Sequence, residues 1–329
     1  LVKRKSSKAE VIDLKVSLSK NIAKIIKKHF KKVFCNTNFK NSLLFIEIVH
    51  FIKNNTPITV CDIGASPCDS THHLDELLKN TNSFLYGFEP NPEEYNKIKL
   101  LELDGNKEFF NFAIGDGSEQ ILKICSYPGW TSFLEADTQY IKNFHNFEGA
   151  SKIIDKISLK TKKLDDIFFK NEIDFFKIDT QGYESVIIEN GLRNFSNALV
   201  VQVEVSPVPI YKNEKKFSFI LNQLEDLDYN LNMFHNINTR TFKPMIVGGN
   251  SGNGLKTLFQ MDCVFVKNFK AIDNFDEEKL KKLILIMFFC FKSYDFVDFL
   301  ICKLDKIKNT NYINDYRSLL PSLKITKNY

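Results

Sequence analysis

The segment DFFKIDTQGYESVIIENG, Asp174 to Gly191, places two charged residues inside an apolar run. Its first part has the composition of a buried strand, and its second part that of a helix ended by a glycine. Because strand side chains alternate between the two faces of a sheet, Lys177 and Asp179 share one face. A buried charge without a partner is costly. The pattern therefore indicates an ion pair or a site that uses the charges.

A second apolar run, VVQVEVSP, repeats this feature with Gln202 and Glu204, which also share a face. Consecutive parallel strands are usually neighbours, so the two runs predict a polar cluster near the carboxyl ends of adjacent strands. Open α/β sheets bind their ligands at that edge. A structural ion pair of Lys177 with Glu204 or Asp179 is the alternative, and a pair can serve both purposes.

An earlier strand ends in the turn DIGASPCD, which begins at Asp62 and continues through Gly64, Ala65 and Ser66. Small residues let the main chain approach a ligand, and the following helix presents its N-terminus there. Two of the three glycines of a dinucleotide-binding turn are missing. A nicotinamide oxidoreductase is therefore the least favoured function, and a ligand without phosphates is more compatible with this turn.

Two further strand ends have residues suited to a nucleoside. Glu89, in GFEPNP, comes at the end of the second strand, where an acid can accept hydrogen bonds from both ribose hydroxyls. A surface glutamate before a proline turn is the structural alternative. The third strand, predicted over Glu108 to Asp116, ends with Ala113 and Ile114, which can flank an adenine ring, and Asp116 can lie near the edge of that ring.

Strands and helices alternate from Thr56 onward, which predicts an α/β domain with a parallel sheet and right-handed crossovers over residues 56–270. Residues 1–55 are predicted to be a helical extension, with a basic amphipathic helix from Ala9 to Phe34 that packs on the domain or lies on an anionic membrane. Residues 271–329 are predicted to be a second helical extension. Its segment Glu277 to Ile307 is apolar nearly all round, which predicts burial against the domain or in a homodimer interface.

The composition is that of a globular protein. The 329 residues are 43% hydrophobic and 26% charged, and the net charge of +5 is too mild to indicate a nucleic-acid partner. The seven cysteines include no Cys-x-x-Cys pair and are interpreted as reduced thiols. The sequence shows neither a signal-peptide core nor an apolar run long enough to span a bilayer, so a cytoplasmic protein is predicted.

Several of these segments, taken in order, resemble the FkbM family of S-adenosylmethionine-dependent methyltransferases. The match extends from about Ile58 to Lys267, and Lys177-Ile-Asp-Thr-Gln-Gly-Tyr-Glu184 is its most specific part. The other matching segments are Asp62-Ile-Gly-Ala, Phe88-Glu-Pro-Asn-Pro, Ala113-Ile-Gly-Asp, Val203-Glu-Val and Met261-Asp-Cys-Val-Phe. The resemblance implies a class I methyltransferase fold, which is a Rossmann-like, mostly parallel sheet of seven strands with the last one antiparallel. It also implies S-adenosyl-L-methionine as cofactor and O-methylation of a small-molecule or glycan acceptor.

The resemblance also implies roles for individual residues. Asp62, Gly64, Ala65 and Ser66 would line the methionine part of the cofactor. Glu89, with Asn91 beside it, would hold the ribose, and the segment from Ala113 through Ile114 to Asp116 would neighbour the adenine. In the position where the family usually has an asparagine or histidine and then a glycine, this chain has Ser66, Pro67 and Cys68.

Methyl transfer to an alcohol is helped by a base that removes the hydroxyl proton. Asp179 is the first candidate, Glu204 the second, and Lys177 is predicted to hold or tune a carboxylate. His235 is a less favoured candidate for this base, because a lone histidine at a strand end is more often structural. No metal site is assigned, because the two carboxylates of Asp179 and Glu204 are too few ligands to indicate a bound divalent ion.

Two other features are open to alternative interpretations. Trp130, in SYPGWTSF, is either an exposed ring that stacks on an acceptor or a ring packed in its loop. His72 and His73 point to different faces of a helix, so they are interpreted as flanking the loop rather than as metal ligands.

Two rival functions remain open. The altered GASPCD turn and the aromatic C-terminal helices favour a methyltransferase-fold binding module without activity. An RNA methyltransferase would use the same sheet, although DTQG stands where amino-group methyltransferases of bases carry their Pro-Pro segment.

Overall fold

The structure is a computed structural model that describes residues 56–67, 72–100 and 106–320 of the chain. The predicted N-terminal helix, Ala9 to Phe34, lies outside these residues. The division into a domain of residues 56–270 and two helical extensions stays a prediction.

Within the described residues, seven strands form one sheet in the order β3-β2-β1-β6-β7-β9-β8, and two more form a separate antiparallel hairpin. Strands β3, β2, β1, β6 and β7 are parallel, while β9 runs antiparallel to both of its neighbours. This arrangement confirms the predicted α/β sheet with an antiparallel last strand. In chain order the strands of the described residues are β1 Ile58–Ile63, β2 Ser83–Phe88, β3 Asn106–Phe110, β4 Glu119–Cys125, β5 Ile153–Lys160, β6 Phe175–Ile178, β7 Val200–Val205, β8 Tyr229–Arg240 and β9 Thr257–Lys267.

Helices connect the strands and cover both faces of the sheet. In chain order those of the described residues are α1 His72–Asn80, α2 Pro92–Leu100, α3 Thr138–Ile141, α4 Phe147–Ala150, α5 Glu184–Glu189, α6 Leu192–Asn197, α7 Phe217–Glu225, α8 Phe269–Ile272, α9 Glu277–Phe289, α10 Tyr294–Lys308 and α11 Tyr312–Leu319. In this part of the chain, no helix combines the length and the apolar character needed to cross a membrane.

The alternation of side chains along the buried strands produces two apolar cores, one on each face of the sheet. Ile58 and Val60 of β1 belong to the first core, together with side chains of α1, α9, α10 and α11. Cys61 and Ile63 belong to the second core, together with side chains of α5, α6 and α7. Lys177 lies on the first face, because it pairs in register with Asp62 of β1.

The predicted burial of the segment from Glu277 to Ile307 is confirmed. Helices α9 and α10 place Leu283, Ile286, Leu300 and Leu304 in the first core, so they pack against the sheet of their own chain. A homodimer through these helices stays a prediction.

The third strand is shorter than predicted, and the chain forms a hairpin that was not predicted. Strand β3 ends at Phe110, and the segment from Ala113 to Asp116 is a turn whose Gly115 N–H donates to the oxygen of Lys162. Strands β4 and β5 were missed because their burial is mixed and lysines interrupt the alternation. In addition, 27 residues separate β4 from β5, so no short turn marks the hairpin.

Residues 119–160, the hairpin and the segment between its strands, form a structure that we term the cap. Together with Tyr211 and Phe259, which lie outside this segment, the cap forms a third apolar cluster. In it the ring centroids of Phe147, Tyr211 and Phe259 lie 5.2, 5.6 and 6.3 Å from that of Trp130. Only 6% of Trp130 is exposed. The structure therefore agrees with a packed ring and not with an exposed ring that stacks on an acceptor.

Candidate active site

A cavity opens at the carboxyl ends of β1, β2 and β6. It encloses about 630 Å³ of empty space, part of which is open to solvent. Six of the nine residues predicted to bind the cofactor line it, and so does the predicted base Asp179. The six are Gly64, Ser66, Glu89, Asn91, Ala113 and Ile114.

The other three predicted cofactor residues lie outside the lining of this cavity. Asp62 is buried, and both Asp62 and Ala65 line a smaller cavity beside α1. The Asp116 carboxylate accepts hydrogen bonds from Ser118 and from the Thr161 hydroxyl, and the bonds from Ser118 lower its pKa. The predicted contacts of these three residues with a cofactor stay predictions.

The turn after β1 is fixed by main-chain contacts. Gly64 has φ +87°, and a β-carbon added to it would stand 1.8 Å from the main-chain oxygen of Asp179. Its N–H and that of Ala65 donate to the oxygen of Phe88 at 2.9 and 3.1 Å. Glycine is therefore needed here because the turn presses against the residue that follows β6.

Ser66 is held by a side chain of the next helix. Its hydroxyl donates to Glu94 Oε2 of α2 at 3.1 Å, and both residues line the cavity. The unusual serine in the GASPCD turn thus has a defined partner. Residues 68–71 lie outside the described residues.

Glu89 is placed at the end of β2 with only 6% of its surface exposed. Its Oε1 accepts the N–H of Asn91 at 2.7 Å, and its own N–H donates to the oxygen of Phe110 at 3.0 Å. A buried carboxylate in a fixed position on the wall of a cavity can accept hydrogen bonds from a ligand hydroxyl.

The cap provides the apolar roof of the cavity, with Leu122 of β4 and Phe133. Phe88 and Phe112, whose ring centroids are 5.3 Å apart, also line the cavity. None of these four was predicted as a site residue. No local signal identifies Leu122 or Phe133, because their place depends on how the cap folds over the sheet.

Lys177 forms the centre of a buried charged group. Its Nζ lies 3.2 Å from Asp62 Oδ1 and 3.9 Å from Asp179 Oδ2. Only 2% of Asp62 and 4% of Lys177 are exposed. Burial raises the pKa of Asp62, and the positive charge of Lys177 opposes that increase. The predicted pairing of Lys177 with Asp179 is present as the longer contact, and the shorter contact with Asp62 was not predicted.

Glu204, the second candidate base, belongs to the same polar cluster. Its Oε2 accepts the Gln181 amide at 2.8 Å and the Gln260 amide at 2.9 Å. The same Gln181 amide donates to Asp179 Oδ1 at 2.8 Å. The two carboxylates predicted to form a cluster are therefore joined by one side chain.

Asp262 of β9 extends the acidic group and was not predicted as a site residue. It pairs in register with Glu204 and accepts the Asn236 amide at 2.8 Å. Burial, followed by the negative charge of Asp179, raises the pKa of Asp262 to about 6. A charged residue inside the apolar run MDCVFVK was the available signal, as at Asp179.

The histidines lie beside this group rather than in the cavity. His235 pairs in register with Asp262, and burial lowers the pKa of its imidazole. His73 Nε2 is 2.9 Å from Gln202 Oε1, and the His73 and His235 ring centroids are 5.5 Å apart. Within the part of the chain that the structure describes, no three His, Cys, Asp or Glu residues are grouped as metal ligands.

Glu184 fixes the turn that follows Asp179. Its buried Oε1 accepts the N–H groups of Thr180 and Gly182 at 2.9 and 3.1 Å and the Thr180 hydroxyl at 3.1 Å. Burial raises the pKa of Glu184 to about 7, and the negative charge of Glu214 adds to the increase. Glu184 belongs to the quoted motif but was not predicted as a site residue.

This pKa makes stability depend on pH. The folded-state pKa is about 7 and the ordinary value 4.5, so only the folded state keeps the proton between these values. The free energy of unfolding should therefore fall as pH rises from about 4.5 to 7, by roughly 3 kcal/mol through this residue. We expect Glu184→Gln, whose amide oxygen can still accept both N–H groups, to lose most of this dependence. Urea unfolding between pH 5 and 8 measures it.

Glu214 provides the matched control, because burial also raises its pKa to about 7. We expect Glu214→Gln to remove a similar share of the pH dependence. Equal slopes for the wild type and Glu184→Gln would show that Glu184 does not titrate in this range.

The fold and the cavity together define a class of protein. The sheet order with its antiparallel last strand, and a cavity at the carboxyl ends of β1, β2 and β6 with a buried acid after β2, agree with the class I methyltransferase fold that the resemblance implies. The FkbM methyltransferase domain profile matches residues 62–231, which are 170 of the 329 residues. The chain therefore belongs to the FkbM family of methyltransferases.

Solved structures of other methyltransferases have low sequence identity and low structural similarity to this chain. Magnesium protoporphyrin IX methyltransferase from Synechocystis PCC 6803, with bound SAM, is 11% identical with a TM-score of 0.33, over 71% of this chain and 86% of that chain. The 1,6-didemethyltoxoflavin-N1-methyltransferase from Burkholderia thailandensis is 8% identical with a TM-score of 0.33, over 82% of this chain and 93% of that chain. No protein of curated function matches the sequence.

Proposed function

We propose that this chain transfers a methyl group from S-adenosylmethionine to a hydroxyl of a sugar, glycan or natural-product acceptor. The observation that supports it most directly is the position of Asp179. This carboxylate follows β6, lines the cavity and lies beside Lys177 and Glu204 in one polar cluster. A cavity that combines a nucleoside-binding acid with a second carboxylate suits a reaction that removes a hydroxyl proton.

The residues present fit the cofactor. Glu89 would accept hydrogen bonds from the ribose, Ala113 and Ile114 would contact the adenine, and the turn at Gly64 and Ser66 would face the methionine part. When bound, the cofactor supplies a methyl group attached to a positively charged sulfur. The apolar roof of Leu122 and Phe133 would limit the access of water to the bound cofactor, which would strengthen the electrostatic interactions beside it.

The chain's own residues then act on the acceptor. We assign to Asp179 the role of the base that removes the proton of the acceptor hydroxyl, because an alcohol is a weak nucleophile until that proton leaves. Lys177 Nζ, 3.9 Å from Asp179 Oδ2, places a positive charge beside this carboxylate. Glu204 is the second candidate, and it lies within the same set of hydrogen bonds.

The test is a transfer assay with S-adenosylmethionine labelled in its methyl group. The acceptors are a panel of UDP- and GDP-linked hexoses and methyl glycosides, and calorimetry measures cofactor binding. Labelled methyl ethers, lost when the hydroxyl is blocked, are the expected products. Cofactor binding without transfer to any hydroxyl of the panel would contradict the proposed acceptor class, and failure to bind cofactor would favour the inactive binding module.

Glu89→Gln is expected to weaken S-adenosylmethionine binding about tenfold to a hundredfold, the value of a hydrogen bond to a charged acceptor. The matched control is Glu94→Gln, which changes an acid in the same cavity that bonds Ser66 instead. Calorimetry should show less than a threefold change for that control. Equal losses in both variants would contradict a specific ribose contact at Glu89.

A further inference from the structure

Gln181 adopts a main-chain conformation that is unfavourable for its residue type. It has φ +58°, in the left-handed region, and is followed by Gly182 at φ +96°. This region costs a residue with a branched or long side chain about 1 kcal/mol or more, and only glycine, asparagine and aspartate enter it readily. A strained residue at the edge of a candidate active site suggests that its side chain has a function.

Both the nitrogen and the oxygen of the Gln181 side-chain amide form hydrogen bonds. Its Nε2 donates to Asp179 Oδ1 and to Glu204 Oε2, both at 2.8 Å, and its Oε1 accepts the Tyr211 hydroxyl at 2.8 Å. Carboxylates only accept, so the NH₂ group must face them and the oxygen must face the tyrosine. The orientation of the amide is thereby fixed by its three partners.

These contacts restrain both oxygens of Asp179. Gln181 bonds Oδ1, while the ammonium of Lys177 lies 3.9 Å from Oδ2. The same amide lies between two carboxylates that would otherwise repel each other. A small displacement of a reacting group can lower a rate by about a hundredfold, so a restraint on the carboxylate is relevant to catalysis.

Gln181 also connects the polar cluster to the cap. Its main-chain oxygen accepts the Ser132 hydroxyl at 2.6 Å, and its partner Tyr211 packs against Trp130 in the interior of the cap. Gln181 itself lines the cavity together with Asp179. The position of the two carboxylates is therefore tied to the roof above them.

We propose that Gln181 is a positioning residue of the methyl transfer, which holds the Asp179 and Glu204 carboxylates in place through one amide whose orientation Tyr211 sets. This inference rests on the function proposed above, in which Asp179 removes the hydroxyl proton.

The test is Gln181→Asn in the labelled-methyl assay with the same acceptor panel. Asparagine keeps the amide and tolerates positive φ, but it is one methylene shorter and cannot span both carboxylates. We expect kcat to fall about tenfold to a hundredfold. The calorimetric Kd for S-adenosylmethionine should stay within about twofold, since Gln181 is not among the predicted cofactor ligands.

Gln260→Ala is the matched control, because Gln260 donates to the other carboxylate, Glu204 Oε2, at 2.9 Å. We expect it to change kcat less than threefold. A decrease equal to that of Gln181→Asn would overturn the proposal, since the effect would then come from Glu204 alone. Tyr211→Phe, which keeps the ring packed against Trp130, should lower kcat by a smaller amount than Gln181→Asn.

A double-mutant cycle separates this inference from the proposed function. If Gln181 acts through Asp179, Gln181→Asn should add less than a twofold effect in the Asp179→Asn background. Full activity of Gln181→Asn beside an inactive Asp179→Asn would overturn the positioning role and leave the proposed function standing. Full activity of Asp179→Asn would contradict the assignment of Asp179 as the base and the positioning role with it, whereas no transfer by the wild type would contradict the proposed function itself.

Discussion

Replacing Asp179 with asparagine is expected to lower kcat for methyl transfer by about 10²- to 10⁴-fold, the usual contribution of a general base. The amide has nearly the same shape, so the cavity and the contact with Gln181 on one oxygen are retained. The affinity for S-adenosylmethionine should therefore change little. The labelled-methyl assay and calorimetry measure the two quantities on the same preparation.

Two neighbouring acids serve as controls for this variant. Glu204→Gln tests the second candidate, and Asp262→Asn removes a charge that acts on Asp179 from β9 and does not line the cavity. We expect both to retain at least a tenth of the activity. Undiminished turnover in Asp179→Asn, with collapse in Glu204→Gln, would move the role of base to Glu204.

Replacing Lys177 with methionine is expected to destabilise the protein by about 3 to 5 kcal/mol, the cost of removing one partner of a buried ion pair. Asp62 would remain buried without the ammonium that lies 3.2 Å from its Oδ1. Burial already raises the pKa of Asp62. The variant should therefore lose less free energy of unfolding at low pH, where the Asp62 carboxyl is protonated, and more above neutrality. Urea unfolding at pH 5 and pH 8 measures both.

The double variant Lys177→Met with Asp62→Asn is the control for this prediction. It removes both charges, so no buried carboxylate is left without a partner, and we expect it to recover at least half of the lost free energy. A double variant no more stable than Lys177→Met would show that the loss comes from packing of the lysine side chain instead of from charge.

The sheet could be predicted because its signals are local. Strands β1, β2, β6 and β7 are short apolar runs ended by turns, and the neighbouring placement of β6 and β7 follows from their order in the chain. The polar residues that interrupt β6 and β7 indicated which end of the sheet is functional. The identity of the seven-strand arrangement came from the resemblance, since periodicity alone does not fix strand order.

The partners of individual charges could not be predicted in the same way. The shortest contact of Lys177 is with Asp62, and it depends on β1 lying next to β6, although 115 positions separate the two residues. Gln181 gave no signal, because its role follows from a left-handed main-chain conformation that a sequence pattern does not specify for glutamine. The cap was missed because lysines obscure its strands.

The interior of the cap has a consequence for how this enzyme could diversify. Its apolar cluster around Trp130 and Phe144 is separate from the two cores that flank the sheet. The roof residues Leu122 and Phe133 belong instead to the second core, which also contains Ile63 and Ile178 of the sheet. A change of acceptor specificity through the roof would therefore need compensating exchanges in that core, whereas the cluster around Trp130 can vary more independently.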